Sequence, residues 1–306
     1  MRAFIFPGQG SQAVGMGAAL AGASRVAREL FEEVDEALGQ SLARLMAEGP
    51  IEALTLTENA QPAIMANALA TFRASGIDIA RAGFVAGHSL GEYSALAAAG
   101  AFDVATTARL LKLRGQAMQQ AVPVGEGAMA ALIGADLALA TAVAEAAAQG
   151  EVCTVANDND PSQVVISGHR GAIERALGIA KERGAKRALL LPVSAPFHSP
   201  LMAPAAKAME QALGDVEIAR PLVPLYANVT AAPVQDAAEI RRLLVEQVTG
   251  MVRWRESVAA MAAAGVDHFV EFGGKVLAPM VKRIAPDALV TSVLTMDDID
   301  ALVKEI

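Results

Sequence analysis

Ser89 lies in Gly87-His88-Ser89-Leu90-Gly91, a G-x-S-x-G pentapeptide. A short apolar run, Phe84-Val85-Ala86, precedes it, and an Ala-rich, helix-favouring run from Glu92 to Ala99 follows. That order is strand, sharp turn, helix. Glycines are needed on such a turn wherever a side chain would strike neighbouring backbone. The turn lifts the serine out at the carboxyl end of a strand. The next helix then begins with free N–H groups aimed at a developing oxyanion. The chemistry this suits is acyl transfer through a nucleophilic serine. The plainer alternative is a serine in an ordinary glycine-flanked turn; the flanking strand and helix favour the nucleophile.

A serine nucleophile needs a base, and the chain has four histidines. His88 adjoins the serine, where neighbours on a sharp turn point apart. His169 sits at a strand end, and His268 lies inside an apolar strand, Val266–Phe272. His198 lies in Ser194-Ala195-Pro196-Phe197-His198-Ser199-Pro200, where two prolines restrict the backbone at a domain junction. It is favoured by elimination. Arg114 is the other conspicuous residue. Leu110 and Leu111 lie one turn before it, Ala117 and Met118 one turn after, so it falls on an apolar helix face. An arginine there needs an anion. A substrate carboxylate and an internal Asp or Glu are equally compatible with the spacing.

The composition narrows the class. The 306 residues are 54% hydrophobic and 19% charged, which excludes disorder and implies a large core, and 4% aromatic content means aliphatic side chains build it. A formal net charge of -8 leaves no basic stripe for nucleic acid. The single cysteine, Cys153, rules out an internal disulfide and a cysteine metal cluster. No stretch approaches the roughly 18–20 apolar residues of a membrane span, and Met1–Pro7 is too short for a signal peptide. The expectation is a cytoplasmic protein.

The elements that must position these residues follow in order. Ala3–Phe6 reads as a buried strand ended by Pro7. The loop Gly8-Gln9-Gly10-Ser11-Gln12-Ala13 fits a dinucleotide fingerprint, with Glu32 at a tolerable distance, but Pro7, Gly15 and Gly17 argue against the helix a pyrophosphate needs. The alternative is a loop bringing backbone N–H groups and Gln9 close to something else. Helical periodicity covers 25–47 with a break at Gly39, then Thr57–Ala74, then a helix capped by Asp103 and running to about Ala121. Gly125 and Gly127 mark a change of pattern. Ala128–Ile133, Asp136–Ala148, Val152–Ala156, Gln163–Ser167, Arg170–Arg183 and Arg187–Val193 give β-α-β-β-α-β, with Asn157–Pro161 as the middle turn. The main pattern resumes with strand Val223–Asn228, helices Ala237–Val248 and Trp254–Ala264, strand Val266–Phe272, helix Val276–Ile284 and strand Leu289–Val293. The expected fold is α/β: a hydrolase-like parallel-sheet domain, 1–124 and 195–306, with an inserted ferredoxin-like domain, 125–194.

Phe6-Pro7-Gly8-Gln9-Gly10-Ser11-Gln12, Gly87-His88-Ser89-Leu90-Gly91-Glu92, Arg114-Gly115 and Pro196-Phe197-His198-Ser199, in that order, resemble the malonyl-CoA:acyl carrier protein transacylases. These FabD-type enzymes are related to polyketide-synthase acyltransferase domains. Asn157-x-Asn159-x-Pro161-x-Gln163-x-Val165-Ile166-Ser167-Gly168 resembles their small-domain hairpin, so the likeness spans essentially the whole chain. It implies Ser89 as the malonyl-carrying nucleophile, His198 as base, and Arg114 as clamp for the malonyl carboxylate. It implies an oxyanion hole from the N–H groups of Gln9 and Leu90. The Gln247 main-chain carbonyl would orient the histidine, and Met251 departs from the proline common after that turn. Phe197 would accompany malonyl rather than methylmalonyl use, with Met118 also against the acyl group. The implied substrates are malonyl-CoA and phosphopantetheinyl acyl carrier protein, with no cofactor, no metal and a monomeric enzyme supplying fatty acid synthesis. Service to a polyketide pathway and a serine thioesterase are the alternatives. An acidic carrier protein needs a local basic patch, for which Arg183, Lys186, Arg187, Lys275, Lys282 and Arg283 are candidates.

Overall fold

The computed structural model describes every residue except Ser194, the last residue of the expected insert and the first of the segment carrying His198, which lies outside the described residues. The strands, in chain order, are β1 (Arg2–Phe6), β2 (Ala82–Gly87), β3 (Gly127–Ile133), β4 (Cys153–Asp160), β5 (Gln163–His169), β6 (Arg187–Leu190), β7 (Leu225–Ala227), β8 (Ala232–Val234), β9 (His268–Phe272) and β10 (Leu289–Val293). Six form one sheet in the order β10-β9-β1-β2-β7-β8, parallel throughout except for antiparallel β8 at its edge. The other four form an antiparallel sheet, β4-β5-β3-β6. With helices Leu137–Ala148 and Arg170–Glu182 between its strands, this second sheet has the ferredoxin-like arrangement.

The parallel sheet explains the unbroken apolar run of β1. A strand covered on both faces has no polar side to show. Phe4 and Phe6 point to one face and meet Phe72 and Phe272, with the Phe4 and Phe272 rings 5.2 Å apart. Ala3 and Ile5 point to the other and share a core with Trp254 and Phe269. Helix Thr57–Ser75 packs on the phenylalanine side, and helix Val104–Gln120 packs on that helix. Asp103 caps the second helix through the Thr106 N–H, as its sequence position predicts.

One stretch departs from expectation. Asn157–Asp160 was expected in a turn, yet β4 runs through to Asp160 and the reversal falls at Pro161-Ser162. Local propensity favours a turn for four consecutive Asn and Asp residues. Here tertiary partners override it: Arg255 pairs with Asp158 at 2.8 Å, Arg283 with Asp160 at 2.7 Å, and His88 meets Asn159 at 2.8 Å. The backbone of Asp158 also donates to Val252. β6, β7 and β9 are shorter than their apolar runs, and helices Ala203–Gly214 and Met296–Glu305 and strand β8 add to the expected elements.

The turn after β2 is sterically exacting. A Cβ on Gly87 would sit 2.0 Å from the Gly91 carbonyl group, and one on Gly91 would sit 2.3 Å from the Phe6 carbonyl oxygen. Both obstacles are backbone, so no rotamer relieves them. Gly91→Ala should lower unfolding free energy by about 1–3 kcal/mol or more. Wild-type stability of that variant in urea titration would overturn this account of the turn.

Candidate active site

β2 and helix Gly91–Ala98 hold Ser89 between them, with φ of 54°. This left-handed conformation is unfavourable for a residue with a Cβ. Neighbours enforce it: Asn228, just past β7, accepts from the Ser89 N–H through Oδ1 at 2.8 Å and donates through Nδ2 to the Gly87 carbonyl at 2.7 Å. The loop after β1 comes against the same turn, since a Cβ on Gly8 would lie 2.6 Å from the His88 carbonyl oxygen. Neither the Gln9 nor the Leu90 N–H donates to an acceptor among the described residues. The dinucleotide alternative fails here. Its helix would have to open directly after the glycines, but the first helix begins only at Ala18.

His198 also has φ of 54°, in a loop braced by the Ser199 hydroxyl donating to the Pro196 carbonyl at 2.7 Å. Its Nε2 lies 2.7 Å from Ser89 Oγ. Its Nδ1 faces two carbonyl oxygens, Gln247 at 2.9 Å and Gly250 at 3.1 Å. Carbonyls only accept, so Nδ1 carries the proton and the Nε2 lone pair faces the serine. Burial, with the nearby Arg114 charge second, depresses the His198 pKa to about 3. The ring is therefore neutral across the physiological range. The remaining histidines are committed elsewhere: His88 to Asn159, His169 Nδ1 to the Val152 N–H at 2.9 Å, and His268 to Thr291 at 2.9 Å.

Arg114 is 1% exposed. Nη1 donates to Gln61 Oε1 at 2.8 Å; Nη2 donates to Gln247 Oε1 at 2.8 Å and to Ser89 Oγ at 3.1 Å. Nε is buried without an acceptor, and no carboxylate lies within ion-pair distance among the described residues. The face of Tyr93 lies 5.8 Å from the guanidinium carbon, a cation–π contact. The internal ion pair that the sequence left open is thus not formed. A buried arginine satisfied only by neutral oxygens retains its appetite for an anion.

Ser89, His198 and Arg114 converge on a cavity of about 260 Å³, lined also by Gln9, Leu90, Gln61, Met118, Met129 and Phe197. Gln9, Thr55, Pro192 and Val193 carry its wall into an open groove that passes Ile51 and Leu56. Gln61, Asn228 and Glu92 were not singled out from the sequence. Glu92 directly follows the pentapeptide and Asn228 directly follows a parallel strand, which are the available signals; nothing local marks Gln61. Glu92 is buried, its carboxylate accepting from Gln247 Nε2 at 2.7 Å and the Asn228 N–H at 3.2 Å. Burial raises its pKa to about 7, against the lowering effect of those bonds.

Comparison with known proteins decides the family. The family model described as the acyl transferase domain matches residues 3–279. The malonyl CoA-acyl carrier protein transacylase of Escherichia coli K12 is 47% identical over 294 residues, 95% of each chain. The chain belongs to the acyl transferase domain family. Its fold is that of solved acyltransferases: the acyl-carrier-protein-S-malonyltransferase of Bartonella henselae superimposes with a TM-score of 0.97 at 51% identity over 99% of this chain and 98% of that one. A malonyl-transacylase solved in complex with a type II PKS acyl-carrier protein superimposes with a TM-score of 0.96 at 40% identity, over 100% of this chain and 99% of that one. Among this acyltransferase's candidate surface cations, Arg283 is held by Asp160, Lys282 by the Ala288 carbonyl and Arg183 by the Ala142 carbonyl. Lys186, Arg187 and Lys275 are exposed and make no such bond among the described residues. No group of residues suited to a metal ion occurs among the described residues, and no described helix is long and apolar enough to cross a membrane.

Proposed function

We propose that this acyltransferase carries malonyl from malonyl-CoA to the phosphopantetheine thiol of an acyl carrier protein through an ester on Ser89. The carrying observation is Arg114: a buried guanidinium without a carboxylate partner, donating to the serine hydroxyl it would share with the substrate. In the first half-reaction Ser89 Oγ attacks the thioester carbonyl while His198 Nε2 takes its proton. The carbonyl oxygen gains charge between the Gln9 and Leu90 N–H groups, each such donor supplying about 3–4 kcal/mol in comparable chemistry. Collapse expels the coenzyme A thiolate, which receives the proton from His198. In the second half-reaction the carrier thiol gives its proton to His198 and attacks the ester, releasing Ser89. Thioester and oxyester are close in energy, so the exchange runs both ways.

Arg114 would bind the free malonyl carboxylate bidentately, with Phe197 and Met118 against the acyl group. The negative charge would also offset the arginine field that depresses His198, making the base stronger when the right substrate is present. The groove past Ile51 and Leu56 suits a long pantetheine arm. We assign 1–124 and 195–306 to the catalytic domain and 125–194 to an insert contributing one wall of the cavity, with a monomer in the cytoplasm supplying fatty acid synthesis and needing neither cofactor nor metal. Lys186, Arg187 and Lys275 are the candidate carrier contacts.

Arg114→Ala tests the clamp. The kcat/KM for malonyl-CoA should fall by about 10²-fold or more relative to that for acetyl-CoA, since only malonyl loses a buried charge-assisted pair. Equal loss with both substrates would overturn it.

A further inference from the structure

Three groups deep behind Ser89 form one relay. Arg114 donates to Gln247 Oε1 at 2.8 Å; Gln247 Nε2 donates to Glu92 Oε2 at 2.7 Å and to the Ser89 carbonyl at 3.0 Å. All three side chains are buried, at 1% exposure or less. Glu92 has no cation within ion-pair distance among the described residues. Burying a carboxylate this way is costly, and an apolar side chain would fill the same space more cheaply. Its position suggests what it does.

A carboxylate oxygen only accepts, whereas an amide can present either end. We propose that Glu92 is a positioning residue for malonyl selectivity: it fixes the Gln247 amide so that Oε1 faces Arg114, and keeps its negative charge one residue behind the guanidinium. A carboxylate touching Arg114 directly would fill the anion site itself. Set back behind an amide, it balances the buried arginine and leaves the face towards Ser89 open for a substrate carboxylate. Glu92 is the shortest and the one anionic acceptor of Nε2 among the described residues; without it that end would keep only the Ser89 carbonyl at 3.0 Å and Asn228 Oδ1 at 3.4 Å, the amide could turn its NH2 towards Arg114, two donors would face each other, and the guanidinium would lose its seat. The first helical turn and the Asn228 N–H hold the carboxylate where this works. The inference rests on Arg114 as the malonyl clamp.

The test compares wild type, Arg114→Ala and Glu92→Gln, each as the full chain, with malonyl-CoA and acetyl-CoA as donors. In Glu92→Gln, the ratio of malonyl to acetyl kcat/KM should fall by about 10–100-fold, mostly through a higher malonyl-CoA KM. A ratio equal to wild type, or an equal loss with both donors, overturns the relay. Wild type supplies a readout independent of folding of the variant. The same ratio, measured from about pH 8.5 to about pH 5.5, should drop as the Glu92 carboxyl gains a proton near pH 7 and can donate. The groups facing Glu92 are the Arg114 guanidinium, which keeps its charge in proteins, the Tyr93 phenol, which burial pushes far above that range, and the uncharged amides of Gln247 and Asn228. In kcat/KM the ionisations of Ser89 and His198 are those of the free enzyme, common to both donors, and cancel in the ratio. A flat ratio again overturns the proposal. If Arg114→Ala keeps the wild-type ratio, the clamp fails. If Arg114→Ala loses it while Glu92→Gln and the pH series do not, the relay alone fails.

Discussion

Ser89→Ala should carry no acyl group after brief mixing with malonyl-CoA, where wild type gains the mass of one malonyl. Intact-protein mass spectrometry reads this directly. Transfer should fall by about 10⁴-fold or more, because what remains without a nucleophile is donor binding and the oxyanion hole. The geometry gives the reason. Among the described residues, Ser89 Oγ is the one hydroxyl that meets both His198 Nε2, at 2.7 Å, and Arg114, at 3.1 Å. Its backbone is held at φ 54° by Asn228 and two glycines that tolerate no Cβ. Added acyl carrier protein should discharge the wild-type adduct. Rapid release of free malonate without carrier would point to a hydrolase instead. An adduct persisting in Ser89→Ala would place the nucleophile elsewhere.

His198→Ala should slow adduct formation by about 10³-fold or more, as expected for loss of a base aligned on its nucleophile. Stopped mixing followed by mass spectrometry measures that step alone. The pH dependence gives a sharper check. Burial and Arg114 hold the pKa of His198 near 3, so the imidazole stays neutral as pH falls from about 8 to about 5. Acetyl transfer, which does not engage the arginine clamp, should therefore show a level kcat/KM over that span. An acid limb near the ordinary histidine value of about 6.5 would mean a solvated ring and a different base. Linkage has the matching sign. The unfolded chain takes up this proton near pH 6.5 and the folded chain only near 3, so stability present above about 6.5 is lost as pH falls through that window.

The sequence by itself determined the nucleophile's setting, the alternation of strands and helices, and the ferredoxin-like order of the insert. Each is written in local terms. Gly87 and Gly91 are needed because backbone crosses backbone there, β1 is apolar from Ala3 to Phe6 because both its faces are covered, and Asp103 caps its own helix. Local signals ran out where residues far apart in the chain meet. The polar run Asn157–Asp160 has the composition of a turn, and Arg255, Arg283, His88 and the Val252 backbone, brought in from other elements, keep it in β4. The partner of Arg114 was undecidable from spacing, since an apolar helix face does not reveal whether an acid waits opposite. The tertiary structure set Gln61 and Gln247 there and put Glu92 one hydrogen bond further back. A binding preference of this kind depends on the order in which three side chains touch, and that order exists only once helices from three parts of the chain have packed together.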